Sequence, residues 1–261
     1  IKFSNFSKII TLEKNDIGYK IKGTNLLVQL SNKLIVKTST ETSRQQVKLF
    51  NSDIKNVVEA FSGVNANYYI IDLIDASKLK SALFELQSHQ GIINVQPDIL
   101  QSVNKSALIT KAVVNAPYIS QLKIPLMWEK TQGENVKIAI IDDGFDLEHP
   151  DLKHTNTVFS YDVSTRQLSS KPVLNIDRHG TMVAGIIFSK HNSIGIDGIA
   201  PKAELIAIRQ PSTWTSNTLL SFQLAKLAGA SIINCSWHSR TLLEPISDIV
   251  DELALYGRDG K

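Results

Sequence analysis

Apolar and polar positions change rhythm near the middle of the chain. In the first hundred residues the apolar runs are short and separated by helical spacing. "LLVQL" (26–30) and "KLIVKT" (33–38) predict strands, being rich in β-prone side chains. From Ser43 to Phe61 the residues Val47, Phe50, Ile54, Val57 and Val58 recur roughly three or four apart, which predicts a helix. "SGVNAN" breaks it, and "YYIIDLI" (68–74) predicts a strong strand. Asp75 reads as the N-cap of a helix over "SKLKSALFELQSHQ", with Leu79, Leu83 and Leu86 on one face. Gly91 is expected to end that helix, and "IINVQPDIL" (92–100) to form another strand. This order predicts a small α+β domain of the split βαβ kind over residues 1–101. Residues 102–118 show no clear period and read as a linker.

Beyond the linker the apolar runs become continuous. "VKIAII" (136–141), "AELIAI" (203–208) and "ASIINCSW" (230–237) have no alternation, as expected of parallel strands buried on both faces. Helical stretches at 181–189, 219–229 and 244–257 separate or follow them. Strands alternating with helices predict an α/β domain over residues 119–261, built on a doubly wound parallel sheet.

Composition narrows the function classes. Apolar residues are 43% and charged residues 20%, which is the globular norm. No run of about 18 apolar residues occurs, so no membrane span is expected. A net charge of +3 is too small for a dedicated nucleic-acid binder. The lone Cys235 excludes an intramolecular disulfide and a cysteine zinc cluster. Residues 1–111 carry 14 basic and 9 acidic side chains, whereas the rest carries 14 and 16, so a weak attraction between the two parts is expected.

Active groups in open α/β sheets lie just past the carboxyl ends of strands. Asp142 and Asp143 occupy that place after "VKIAII", and Gly144 permits a tight exit turn. By position alone Asp142 is either a turn residue or a site residue. His179 opens an apolar helical run in "DRHGTMVAG" (177–185). A helix N-terminus disfavours the imidazolium. Alone, His179 reads as a capping or packing residue. Paired with Asp142, it reads as a general base whose cation a carboxylate supports.

"VKIAIIDDGFDLEHPDL" and "RHGTMVAGII" resemble the aspartate and histidine motifs of subtilisin-like serine proteases, the subtilases. "NSIGIDGIAPKAELIAI" (192–208) and "SIINCSWHS" (231–239) extend the resemblance in the family's order. The Asp-Asp-Gly form, "NCSW" and "GRDGK" lean toward the kexin-like branch. The resemblance implies an incomplete subtilisin-like sheet in which Asp142 orients His179, the base. Asp143 stands where the family usually has Ser or Thr. "YYIIDLIDASKLKSALFELQ" and "GIINVQPDIL" resemble the family's ferredoxin-like propeptide, an intramolecular chaperone and inhibitor. Processing after Lys105 or Lys111 in the linker is the corresponding expectation, with solvated lysines as the alternative.

The same resemblance implies that Ser236, Trp237 and His238 line the substrate groove and pair with a peptide backbone. Glu244 is either a specificity-pocket residue or a helix-start glutamate. No cofactor is implied for the chemistry. A structural calcium ion is implied at Asp151 and Asn192, with carbonyls of Lys190, Ile194 and Ile196; an ordinary surface loop is the alternative. The family's serine, in Gly-Thr-Ser, and its oxyanion asparagine are not found. The Gly-Thr pairs are "GTN" (23–25) and "GTM" (180–182). The expectation is therefore an amino-terminal part of a protease precursor, inactive without its carboxy-terminal part, secreted or periplasmic, with peptide or protein substrates. The alternatives are a non-catalytic pseudoprotease and a propeptide-type inhibitor. A nucleotide-binding domain would need a phosphate loop, and none follows a strand.

Overall fold

The computed structural model describes residues 1–102, 104–105 and 117–260. In chain order its strands and helices are β1 (Lys2–Asn5), β2 (Lys8–Asn15), β3 (Gly18–Ile21), β4 (Leu27–Thr38), α1 (Arg44–Leu49), β5 (Ile54–Ser62), β6 (Asn67–Leu73), α2 (Leu79–Leu86) and β7 (Ile92–Gln101). There follow β8 (Asn104–Lys105), α3 (Pro117–Gln121), α4 (Ile124–Trp128), β9 (Lys137–Asp142), β10 (Asn156–Asp162), α5 (His179–Phe188), β11 (Glu204–Arg209), α6 (Thr215–Leu227), β12 (Ile232–Asn234), β13 (Trp237–His238) and α7 (Glu244–Tyr256). Among the described residues no helix is long and apolar enough to cross a membrane. The chain forms two compact units. One is Ile1–Val103 with Thr213–Gln223 and Ser239–Lys261; the other is Asn104–Ser212 with Leu224–His238.

The first unit holds an antiparallel sheet ordered β1-β2-β3-β4-β6-β5, with β7 also paired to β4. Around the inner half of β4 the spatial order is β7-β4-β6-β5, with α1 and α2 as crossovers. That is the ferredoxin-like arrangement. Leu34, Val36, Tyr69, Ile71 and Val95 alternate onto one face and pack with Val47 of α1 and Leu79, Leu83 and Leu86 of α2. Asp75 caps the turn before α2 by accepting from Ser77 N.

Three sequence expectations are corrected here. The helix expected over 43–61 is the short α1 followed by strand β5. Two β-bulges, between Ile54 and Asn56 and between Glu59 and Phe61, insert extra residues into β5. They bring Ile54, Val57 and Ala60 inward three apart, which imitates helical spacing. The separate strands at 26–30 and 33–38 are one strand, β4. Helix α2 stops at Leu86 rather than at Gly91, which sits further on in a turn at φ +87°.

Helix α7 meets the same unit through a row of acids four apart, which share one helix face. Glu244 accepts from Phe6 N at 2.7 Å, Asn94 Nδ2 at 3.0 Å and Lys37 Nζ at 3.3 Å. Asp248 accepts from Lys37 Nζ at 2.5 Å and from the Tyr68 hydroxyl. Glu252 accepts from Val64 N at 2.5 Å. Asn5 Oδ1 takes the Glu244 N–H at 2.7 Å, an N-cap supplied from a distant strand. Buried Asp98 likewise accepts from Ser216 N at 2.9 Å near the start of α6.

The second unit is built on a fully parallel sheet ordered β10-β11-β9-β12. Ile138, Ile140, Leu205 and Ala207 face α5 and pack with Val183, Ala184 and Phe188. Ala139, Ile141, Ile206 and Ile208 point to the opposite face and are also buried. Burial on both faces explains the unbroken apolar runs. The expected strand 230–237 is divided into β12 and β13, and β13 leaves the sheet to pair antiparallel with β8. The edge strand β10 has no counterpart among the sequence expectations because its positions are mostly only half-buried.

The distant cap on α7 yields a measurable cost. Asn5→Ala is expected to lower stability by about 1 kcal/mol in urea unfolding, because the first turn of α7 loses an acceptor.

Candidate active site

Strand β9 delivers Asp142 at its carboxyl end, and helix α5 begins with His179. His179 Nδ1 lies 2.9 and 2.8 Å from Asp142 Oδ1 and Oδ2. Asp142 is 1% exposed and His179 7% exposed. Burial raises the Asp142 carboxyl above the usual carboxylate range, against the pull of the Asp143 N–H, the charge of His179 and its hydrogen bond. With Nδ1 given to Asp142, Nε2 makes no hydrogen bond among the described residues.

Glycine makes this approach possible. A Cβ on Gly180 would lie 2.5 Å from the Gly144 carbonyl oxygen and 3.0 Å from Asp142 Cβ. The bare backbone lets the first turn of α5 sit on the end of β9. Asp143 completes the junction. Its Oδ1 accepts from Gly180 N at 2.9 Å and its Oδ2 from His179 N at 3.4 Å. A carboxylate at a helix N-terminus satisfies orphan donors and complements the helix dipole. Sequence reasoning set Asp143 aside as the residue beside the acid and missed this cap. The available signal was an aspartate in place of a hydroxyl residue, in a chain whose α5 has no side-chain cap of its own.

A second charged group lies in the same row of strand ends. The registers align Asp162 with Arg209 and Arg209 with Asp142. Arg209, 4% exposed, bonds Asp162 Oδ2 through Nη1 at 2.7 Å and Asp177 Oδ2 through Nη2 at 2.8 Å. Asp177 Oδ2 also accepts from Val173 N at 3.2 Å and Leu174 N at 3.1 Å. Burial acts to raise both aspartates, but the Arg209 bonds, backbone donors and the Arg209 charge together hold them below the usual carboxylate range. The Cys235 thiol is pushed up to about 12 by burial and by the Asp142 charge, which keeps it protonated and a poor nucleophile.

Strand β13 pairs Trp237 with Lys105 and His238 with Asn104. The Trp237 indole donates to the Ile141 carbonyl at 2.7 Å, tying β13 to the end of β9. Ser236 Oγ accepts from Asn234 Nδ2 at 3.0 Å. Lys105 is in β8, whereas Lys111 lies outside the described residues. Glu244 is occupied by the Lys37, Phe6 and Asn94 contacts already given.

Asp151 reaches the 192–196 loop. Its Oδ2 accepts from Ile196 N at 3.3 Å, and a Cβ on Gly195, at φ +63°, would meet that oxygen at 2.1 Å. Asn192 Oδ1 accepts from Ile194 N at 3.0 Å. A carboxylate, an amide oxygen and loop carbonyls are the donor types a hard cation takes, so the donor chemistry fits calcium. Among the described residues no three His, Cys, Asp or Glu side chains converge as a metal cluster.

Two outcomes test this geometry. Gly180→Ala is expected to cost about 1–3 kcal/mol by overpacking, and to lengthen the His179–Asp142 contact in a crystal structure. The acid pair gives a pH dependence. Asp162 and Asp177 have folded values below their unfolded value of about 3.9, so their stabilisation is complete above that value. It is lost as pH falls through the lower folded values. Asp177→Asn is therefore expected to flatten the acid limb of a melting-temperature profile below about pH 4.

Comparison with known proteins gives this geometry a context. The model of the subtilase family matches residues 133–260. Subtilisin E of Bacillus subtilis is 31% identical over 158 residues, covering 59% of this chain and 38% of subtilisin E. A calcium-dependent protease of Trichormus variabilis is 36% identical over 111 residues, covering 42% of this chain and 17% of that protein. The chain thus spans well under half of these relatives. In fold, it resembles fervidolysin from Fervidobacterium pennivorans, a keratinolytic enzyme related to subtilisin. The TM-score is 0.63 at 21% identity, over 94% of this chain and 40% of fervidolysin. The epidermin leader peptide processing protease of Staphylococcus aureus gives a TM-score of 0.58 at 16% identity, over 87% and 59% of the two chains. Residues 133–260, which carry both Asp142 and His179, belong to the subtilase family of serine proteases.

Proposed function

We propose that the complete protein is a serine endopeptidase working through an aspartate, histidine and serine triad, with Asp142 and His179 in this chain. The observation that carries the reading is the buried Asp142–His179 pair at a strand end, with Nδ1 held by the carboxylate. That bond fixes the tautomer in which Nε2 is the basic nitrogen. Nε2 takes the proton of a serine hydroxyl as it attacks the scissile carbonyl. Asp142 then supports the imidazolium while the acyl-enzyme forms, and His179 returns the proton to the leaving amine. The serine and an oxyanion asparagine would come from sequence outside residues 1–261, so this stretch alone is expected to be inactive.

The backbone of Trp237 and His238 would bind an extended peptide by strand addition. The pairing of Asn104–Lys105 with it supports reading this segment as the lead-in of an inhibitory propeptide, residues 1–101, with processing after Lys105 or Lys111. Residues 102–118 would be the linker and 119–261 the first part of the catalytic domain. The propeptide reading implies an exported protein. Calcium would be held by Asp151, Asn192 and carbonyls of Lys190, Ile194 and Ile196. When bound, it would brace the loop on Asp151 and take no part in the chemistry.

Two experiments test the reading. In the full-length protein, a fluorophosphonate is expected to label one serine, and His179→Ala to lower kcat by roughly 10⁴-fold or more. A His179→Ala enzyme of full activity would sink the proposal. For calcium, chelation is expected to lower the melting temperature, and millimolar calcium to restore it. At a hundredfold excess over Kd the gain is about 2.7 kcal/mol, and Asp151→Ala should abolish it.

A further inference from the structure

The geometry points to Arg209 and Asp177 as positioning residues: the buried Arg209–Asp177 pair, with Asp162 meeting the rest of the guanidinium, sets the loop that delivers His179 to Asp142. Asp162, Arg209 and Asp142 end three neighbouring parallel strands at the same level. Side chains alternate along a strand, so Arg209 shares a face with Leu205 and Ala207, and Asp142 with Ile138 and Ile140. Those four apolar residues pack against α5. Arg209 and Asp142 therefore both point to the side on which α5 lies.

Arg209 does not bond Asp142. Its two terminal nitrogens go to Asp162 and Asp177. The two carboxylates compensate its charge and leave Asp142 to His179. Asp177 lies two residues before His179, at most about 7 Å of chain. It fastens the loop at several points: its carboxylate accepts from Val173 N and Leu174 N, and its own N–H donates to the Leu174 carbonyl at 2.9 Å. The next link follows at once, with Arg178 N donating to Ile176 O at 2.9 Å. His179 is thus fixed from two sides, by Asp143 on its own N–H and by the Asp177 knot behind it. A buried guanidinium with two planar partners holds such a knot more firmly than a lysine point charge. The loop itself carries exposed apolar side chains, Val173, Leu174 and Ile176, so side-chain burial gives it little support. The polar clamp holds it in place instead.

This inference rests on reading His179 as the base, but its test needs no turnover. The His179 Nδ1–H bonded to Asp142 and the carbon-bound protons of the imidazole ring can both be followed by proton NMR. Asp177→Asn and Asp162→Asn are compared, since both weaken the ion pair but only the first touches the loop. Asp177→Asn is expected to broaden or shift the Nδ1–H and ring resonances of His179. Asp162→Asn is expected to lower the melting temperature and leave both signals in place. Arg209→Met should reproduce the Asp177→Asn effect, and Arg209→Lys should restore it in part. If Arg209→Met does not fold, the two aspartate variants decide. Unchanged His179 signals in Asp177→Asn, or equal changes in both aspartate variants, would overturn the assignment. Loss of fluorophosphonate labelling in the full-length protein would instead count against the protease reading and leave the clamp intact.

Discussion

The site depends on the close seating of a helix N-terminus on the carboxyl end of a buried strand. Helix α5 can reach the end of β9 only because Gly180 has no side chain to strike Gly144 and Asp142. That contact brings His179 within hydrogen-bond distance of Asp142. It also creates a problem, because two carboxylates and a helix end come together away from water. The solution is to give each carboxylate its own donors. Asp142 takes the imidazole, and Asp143 takes the backbone N–H groups of α5.

Arg209 extends the same logic along the row of strand ends. A buried ion pair contributes little net stability over an apolar substitute, because desolvation offsets attraction. What it offers is geometry, since a guanidinium bridging two fixed carboxylates permits few arrangements. In the first unit the same device recurs. Asn5 and Asp98 place acceptors at the starts of α7 and α6, and the acids of α7 meet Lys37, Tyr68 and backbone N–H groups. Buried helix ends and buried acids are partnered in both units, as the cost of an unsatisfied buried polar group requires.

Legibility in the sequence followed burial. The continuous runs of β9 and β11 were readable to within a residue, because burial on both faces leaves no polar positions to confuse the pattern. Strand β10, half-buried at the edge, left no comparable trace. Strand β5 looked helical because its two bulges shift the inward positions from a spacing of two to a spacing of three. For the site, Asp142 and His179 stood out through their motifs. Nothing local marks Asp143 as a helix cap or joins Asp162 and Asp177 to Arg209, because these partners lie 32 to 47 residues apart along the chain.

The sequence by itself determined the buried parallel strands and the family resemblance. These are carried by local runs and short motifs, which need no knowledge of distant contacts. Only the tertiary structure decided which acid serves which donor. Asp142, Asp143, Asp162 and Asp177 are the same residue type, all buried, and nothing local tells them apart. Strand register and the approach of α5 do, because a hydrogen bond is set by a few tenths of an ångström between groups far apart in the chain.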